Sequence, residues 1–155
     1  MIPSLKFEGA DEMDAAMMEL EGAVAMKVVR DSLLSSVQPV IDSAKGRVPV
    51  DRGDLERSIG AGTKLTKRQK SLHQPIVAAG GIEVHVGPGI MTNARGVRHA
   101  HMVEFGTSTM APRPYMRPAW VSNLQAVFNG LAQSMTVNLA KAVKRAKAKA
   151  LKVRR

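Results

Sequence analysis

The sequence His99-Ala100-His101-Met102-Val103-Glu104-Phe105-Gly106-Thr107 joins two parts of the chain that have different patterns. Residues before it include short alternating apolar segments typical of β-strands, whereas residues after 115 follow a helical period. Glu104 is the last acidic residue of the chain, and Gly106 can adopt the left-handed geometry that ends a helix. The segment 99–105 therefore predicts a short helix or an edge strand. The prolines of Ala111-Pro112-Arg113-Pro114-Tyr115 then favour a stiff, extended connection.

A long helix is predicted to begin between Tyr115 and Pro118, because proline is tolerated in a first helical turn. Its apolar stripe is Trp120, Leu124, Val127, Phe128, Leu131, Met135, Leu139 and Val143. The segment 118–140 has no charged side chain, but it contains too many Asn, Gln, Ser and Thr residues for a membrane span. Its polar face suits either exposure to solvent or burial between subunits, where no isolated charge would lose its hydration.

The N-terminal part predicts an amphipathic helix over residues 11–37, with acidic residues in its first turn. Pro39 removes a helical hydrogen bond, so the helix should kink or break near Gln38. A further helical piece over 40–45 should run to Gly46. Beyond it, Asp51 is predicted to cap one helical turn, with Asp54 at the third position.

Alternating apolar residues over 59–65 predict a strand. Residues 76–86 predict a hairpin on the Gly80-Gly81 turn, with Val84 and Val86 inward and Glu83 and His85 outward. The strand should end at Gly87-Pro88-Gly89, and residues 67–74 and 90–98 are predicted to be loops. The fold class is therefore α+β, with long N-terminal and C-terminal helices packed on a small antiparallel sheet.

The length of 155 residues indicates one domain, which we assign to residues 1–140. Residues 141–155 form a basic C-terminal helix extension or tail. The chain has no cysteine, which excludes a disulfide framework and a cysteine-based site. The N-terminus lacks the basic and apolar regions of a secretory signal, so we expect no signal peptide and synthesis in the cytoplasm of the host cell. Ten methionines and few aromatic residues indicate a soft core that could finish folding in an assembly.

The net charge of +10 is concentrated at the C-terminus, while the 15 other basic residues nearly balance the 13 acidic ones. Six acids lie within residues 1–21, so the chain is acidic at one end and basic at the other. This distribution favours self-assembly or a polyanionic neighbour. The tail could instead be a solvated helix end. The candidate polyanion contacts are Lys141, Lys144, Arg145, Lys147, Lys149, Lys152, Arg154 and Arg155.

The metal-ligand residue types cluster at His99, His101 and Glu104, with His85 a further candidate. A His-x-His pair shares one face only in a strand, and surface histidines without a metal are far commoner. No nucleophile elbow, phosphate-binding glycine loop or paired carboxylates are present. We therefore predict a protein that is not an enzyme and that has no catalytic, cofactor-binding or metal-binding residues.

Two motifs resemble one known family. The first is Val48-Pro49-Val50-Asp51-Arg52-Gly53-Asp54-Leu55, followed by Ser58-Ile59. The second is Val103-Glu104-Phe105-Gly106-Thr107, followed by Ala111-Pro112-Arg113-Pro114-Tyr115-Met116-Arg117-Pro118-Ala119. They are similar to the signatures of the gene-10-product-like phage morphogenesis proteins, which are neck, tail-completion or minor tail components of long-tailed phages. The resemblance spans about residues 11–140, and it departs from the family at Arg52, at Tyr115 and in the basic tail.

The resemblance implies a structural virion protein that forms a ring at the head–tail junction, through which DNA passes. Its implied partners are other copies of itself, head-closure proteins, and tail-terminator or tail-tube proteins, with possible contact to packaged DNA and none to a membrane. Candidate interface or corner residues are Glu104, Phe105, Gly106, Arg113, Tyr115, Arg117 and Trp120. The alternative is a small basic DNA-binding protein that acts through residues 141–155.

Overall fold

The computed structural model describes residues 10–18, 20, 22–49, 51–65, 70–71, 73, 81–89 and 99–153. The elements are, in chain order, α1 (Ala10–Met18), α2 (Gly22–Ser36), α3 (Gln38–Lys45), α4 (Asp54–Ser58), β1 (Gly60–Gly62), β2 (His85–Gly87), α5 (Ala100–Phe105) and α6 (Met116–Val153). The long α6 packs against α1, α2 and α3. The predicted α+β class, with long helices and a small antiparallel sheet, is confirmed.

The N-terminal helix is divided further than its periodicity predicted. The segment predicted as one helix over 11–37 forms α1 and α2, with Leu20 in a bend between them. This bend places Leu20 in a small core with Val28, Leu139 and Ala142, which accounts for the interruption. The break predicted near Gln38 is confirmed at Val37, because proline occupies the first turn of α3.

The short helix α4 forms as predicted, but the predicted cap is wrong. Gly53, at φ 73°, is the residue that precedes the helix, and no side chain caps it. Asp51 lies too far before the first turn and is exposed. Asp54 instead accepts a hydrogen bond from Arg57 at 2.8 Å, and the same guanidinium donates to the Arg52 carbonyl at 2.9 Å.

The sheet consists of β1 and β2 in antiparallel register, with Ala61 opposite Val86. Both strands are shorter than predicted, because only three residues of each make ladder pairs. Val84 and Val86 pack on the core, as their alternation predicted, and β2 ends at Gly87. The Gly80 turn and the rest of 74–80, the loop over 90–98 and most of the loop over 67–74 lie outside the described residues.

The main core lies where α3, α4, the sheet and the beginning of α6 meet. Its buried residues are Val37, Val40, Ile41, Ala44, Val48, Leu55, Ile59, Ala100, Tyr115 and Ala119. Two of these residues are Ala100, the first residue of α5, and Tyr115, which immediately precedes α6. The core therefore anchors the start of α5 and the start of α6.

Small and polar residues form the contact between α2 and the middle of α6. Asn138 donates to the Ser32 hydroxyl at 3.0 Å, and Ser35 donates to Ser134 at 3.0 Å. The Gly130 position faces the backbone of Ser36, so the two helices approach closely. Part of the uncharged polar face of 118–140 therefore packs against α2 of the same chain. This face does not serve only for contact with solvent or with another subunit.

The predicted apolar stripe of α6 is partly wrong. Leu139 is buried, but Trp120 remains 41% exposed and Phe128 37% exposed. The buried face contains Ala119 and Ala142 instead. Small residues are buried on this face because they allow the helices to approach each other closely. The hydrophobicity of the side chains alone does not predict this. None of the described helices is both long enough and apolar enough to cross a bilayer, in agreement with the sequence-based rejection of 118–140.

Candidate functional site

Gly106 ends α5 and reverses the chain. Its φ of 76° and ψ of −178° lie in a region that side chains rarely adopt, and its amide donates to the Met102 carbonyl at 2.8 Å. A Cβ at this position would lie 2.8 Å from the Met110 carbonyl oxygen and 2.9 Å from the Pro112 nitrogen. The helix end predicted at Gly106 is confirmed, but the predicted left-handed geometry is met only in its positive φ, because ψ lies outside that region. The close approach of the backbone gives a second reason for glycine.

The connection from Thr107 to Pro114 is held by its own hydrogen bonds. The Thr107 amide donates to the Met110 carbonyl at 2.9 Å, and the Thr107 hydroxyl accepts from the Met110 amide at 3.1 Å. The Arg113 amide then donates to the Val103 carbonyl at 2.8 Å. This last bond returns the chain to α5, so the start of α6 is placed next to Glu104.

The Glu104 carboxylate caps the N-terminus of α6. One oxygen, Oε2, accepts from the Tyr115 amide at 2.7 Å and from the Met116 amide at 2.9 Å. The other, Oε1, accepts from the Arg117 amide at 3.0 Å. A cap normally comes from the residue just before the helix, whereas this one comes from the preceding helix, 11 residues away.

This arrangement accounts for every unpaired donor at the start of α6. A helix leaves four N–H groups without partners in its first turn. Glu104 accepts three of them, and the fourth position is Pro118, which has no N–H. Ala119 then makes the first bond within the helix, to the Tyr115 carbonyl at 3.4 Å. The corner formed by Glu104, Gly106 and Tyr115 through Pro118 is therefore fully satisfied.

The electrostatics of this corner favour an ionised Glu104. Burial acts to raise the pKa of Glu104, but the amides of Met116, Tyr115 and Arg117, and the charge of Arg117, outweigh it and hold the pKa below the usual value of a glutamate. The same corner raises the pKa of Tyr115 to about 12, through burial and then the Glu104 charge. Glu104 is thus charged and Tyr115 neutral at physiological pH.

The structure divides the predicted corner residues into two groups. Glu104, Gly106 and Tyr115 build the corner, and Tyr115 is only 1% exposed. Among the described residues, Glu104 forms no ion pair, so neither Arg113 nor Arg117 makes a salt bridge with it. Both arginine side chains are exposed.

The remaining predicted corner residues lie on an apolar surface. Phe105 is 68% exposed and Trp120 is 41% exposed, and both line one open groove of about 490 Å³. Val121, which sequence reasoning did not single out, lines the same groove and is 72% exposed. No local pattern in the sequence distinguishes Val121 from the apolar residues of α6 that are buried. Phe105, Trp120 and Val121 are called the apolar groove below.

The predicted polyanion contacts lie at the far end of α6. The side chains of Lys141, Lys144, Arg145 and Lys147 are exposed. Lys149 and Lys152 lie within α6 but their side chains are outside the described set, and Arg154 and Arg155 lie outside it altogether. Val143 is the last partly buried residue described. The ten helical residues beyond it extend about 15 Å at the usual rise of a helix.

The condition for a metal site at His99 and His101 is not met. His101 lies in α5 and His99 immediately precedes it, so their side chains do not share the face that a strand would give them. Glu104 is already engaged by three backbone amides. His85 belongs to a different group, with Glu83 and His73, which was not predicted because His73 lies in a segment without a clear period.

A comparison with family models identifies one match. The model is described as "Bacteriophage HK97-gp10, putative tail-component", and it matches residues 11–106. The match includes the motif that begins at Val48 and the segment Val103–Gly106, but it ends before the Ala111–Ala119 motif. Searches of curated proteins and of solved structures give no significant match.

Proposed function

Because the chain belongs to the HK97-gp10-like family of bacteriophage tail components, we propose that its copies form a ring at the head–tail junction through which DNA passes. Membership makes it a structural protein of the virion that contacts other virion proteins. The ring, its position at the junction and the passage of DNA are the parts that we propose. The neighbours in that position are head-closure proteins and tail-terminator or tail-tube proteins.

The apolar groove is the observation that carries the ring proposal. Phe105 and Val121 are each more than two-thirds exposed, and Trp120 adds a large aromatic surface beside them. Aromatic residues in a groove with few charges are typical of the centre of a protein interface. We assign a neighbouring copy of this chain as the occupant, because a ring places the same surface at every subunit contact.

The corner makes this surface suitable for assembly. Phe105 is at the end of α5, and Trp120 and Val121 are in the first two turns of α6. The Glu104 cap and the Gly106 turn fix these two helices relative to each other. A rigid groove loses little conformational entropy when a neighbour binds, which increases affinity.

The charge distribution gives the far end of α6 a basic surface. Residues 141–155 carry eight basic and no acidic side chains, whereas residues 1–21 carry six acids. Because α1 packs against α6 beside Leu139 and Ala142, the acidic and basic segments lie next to each other within one copy, and their opposite charges act there first. The basic end of α6 also gives a surface that could contact DNA passing through the ring.

The ring proposal is tested by complementing a phage from which the gene has been deleted. We expect the deletion to give heads and tails that are not joined in electron micrographs, and normal infectious tailed particles would refute the proposal. The variants Phe105→Asp and Val121→Asp should fail to restore plaques. Val137→Asp is the matched control, since Val137 is 50% exposed on α6 but does not line the groove. Equal plaque formation by all three variants would exclude the groove as the contact.

The alternative function, a basic DNA-binding protein, is favoured by the exposed lysines that continue along α6 past the body of the protein. Fluorescence anisotropy with duplex DNA should then show affinity that falls steeply with salt. Removal of residues 144–155, which carry seven of the eight basic residues of the tail, should abolish binding. Unchanged affinity after truncation would exclude the tail as the DNA-binding segment. If the protein binds DNA and the deletion phage still assembles normal particles, this alternative is favoured over the ring.

A further inference from the structure

Three side chains with metal-ligating atoms meet beside β2, away from the corner and the apolar groove. The Nε2 atom of His73 lies 2.5 Å from Oε2 of Glu83, and Nε2 of His85 lies 4.0 Å from the same oxygen. The two imidazole rings pack edge to face, with centroids 5.0 Å apart and planes at 88°. One ligating atom from each residue lies within 4.8 Å of the others.

The local structure explains why two of these residues share a face. Glu83 lies two positions before His85, the first residue of β2, and the 4.0 Å separation of His85 Nε2 from Glu83 Oε2 places their side chains on the same side. The alternate residues Val84 and Val86 point to the other side and pack on the core. His85 is fixed further by its pairing with Gly62 in β1. The packing of Val84 and Val86 on the core therefore fixes the positions of Glu83 and His85.

His73 reaches this face from the long connection between β1 and β2. His73 precedes Glu83 by ten residues in the sequence, and its side chain is only 27% exposed. Glu83 is 22% and His85 is 21% exposed. The three groups therefore form a partly enclosed cluster that keeps some access to water.

We propose that His73, Glu83 and His85 bind one transition-metal dication, for which Zn²⁺ is the best match. Two imidazole nitrogens and one carboxylate oxygen are a common ligand set for Zn²⁺, with water at the fourth position. Tetrahedral bonds of ordinary length place ligand atoms about 3.3 Å apart. The observed separations of 2.5 Å and 4.0 Å lie on either side of that value. Small rotations of the side chains would therefore form the site.

The donor set also determines which ions the site rejects. Mg²⁺ and Ca²⁺ prefer oxygen ligands and bind imidazole weakly, so two histidines disfavour them. A bound Zn²⁺ would link the β1–β2 connection at residue 73 to β2. Because the three ligands meet only in the folded chain, Zn²⁺ binds the folded state in preference to the unfolded one, so the ion should stabilise the protein. This inference does not depend on the ring proposal.

Zinc binding is tested on the full-length protein without a histidine tag, after treatment with a chelator. We expect titration calorimetry and metal analysis after dialysis to show one Zn²⁺ per chain, with no binding of Mg²⁺. Glu83→Gln and His73→Gln should each weaken binding by at least about tenfold, the loss seen even for outer-shell partners of a metal. His101→Ala is the matched control, because it removes an exposed histidine outside the cluster and should leave affinity unchanged.

Two further readouts separate the site from adventitious binding. Co²⁺ bound to the wild-type protein should give the visible absorption of a tetrahedral site, and Glu83→Gln should lose it. Zn²⁺ should raise the Tm of the wild type but not that of Glu83→Gln, with circular dichroism confirming that each variant is folded. Absence of stoichiometric Zn²⁺, or equal affinity in the wild type and both cluster variants, would overturn the proposal.

Discussion

Replacing Glu104 with glutamine or alanine tests how far the long helix depends on one carboxylate. Alanine removes the acceptors of three backbone amides at 2.7, 2.9 and 3.0 Å. Loss of a helix cap costs typically about 1 kcal/mol, and hydrogen bonds to a charged group contribute about 1.5–3 kcal/mol each when buried. Because Glu104 is partly exposed, water can replace some of these bonds. We therefore expect Glu104→Ala to lower the free energy of unfolding by about 2–3 kcal/mol.

Glutamine should cost less than alanine but should remove the pH dependence. Its single carbonyl can still accept from two amides, while the charge that interacts with the helix dipole is gone. We expect Glu104→Gln to cost about 1–2 kcal/mol near neutral pH. Although burial acts to raise it, the pKa of Glu104 is lower in the folded protein than in the unfolded chain, because three backbone amides donate to the carboxylate. This stabilisation is fully present well above the unfolded pKa of a glutamate and is lost as the pH falls through the lowered folded value.

The assay is urea denaturation between pH 3 and pH 7, followed by circular dichroism and by the fluorescence of the single tryptophan, Trp120, at the start of α6. Two protein concentrations separate folding from self-association. Glu56→Gln is the control, a glutamate in α4 that should change stability by less than about 0.5 kcal/mol. The reasoning is refuted if Glu104→Gln matches the wild type at pH 7, or if their difference stays constant down to pH 3.

Three other predictions concern the corner and α6. Gly106→Ala should lose about 2–4 kcal/mol in chemical denaturation, because its φ is positive and its Cβ would lie 2.8 Å from the Met110 oxygen; an unaffected variant would contradict this geometry. Gly130→Ala should gain about 0.5–1 kcal/mol, since the new Cβ meets Ser36 at 3.7 Å and alanine favours helix; a loss of stability would show that the helices pack more tightly. Tyr115→Phe should retain stability to within about 1 kcal/mol, whereas Tyr115→Ala should lose about 3–5 kcal/mol; similar Tm values for the two would refute burial of the ring.

Sequence patterns predicted the elements best where the signal is local. Pro39 predicted the break between α2 and α3, and the prolines before Trp120 predicted the start of α6. The positive φ at Gly106 and the inward face of β2 also followed from residue type and alternation. Each of these features depends on steric effects within a few residues, so no knowledge of the tertiary fold was needed.

The errors in the sequence predictions arise from contacts between distant segments. Leu20 interrupts the first helix because a core with Leu139 and Ala142 receives it. The wrong cap at α4 is the exception, because Gly53 precedes the helix and Arg57 contacts Asp54 within the same few residues. The wide apolar stripe predicted for α6 was wrong at Trp120, since several faces of a helix can carry apolar residues and packing selects only one. Hydrophobic periodicity alone does not predict which face of the helix is buried.

The sequence by itself determined the α+β class, the basic end of the chain and the two motifs that identified the family. Those properties reside in residue type and spacing. Only the tertiary structure decided what Glu104 does, because its three partners lie 11 to 13 residues later and meet it only after Gly106 has reversed the chain. The same reversal leaves Phe105 and Trp120 on one surface, and a separate contact beside β2 brings His73 to Glu83. Contacts between distant segments depend on how the whole chain packs, and local patterns do not specify them.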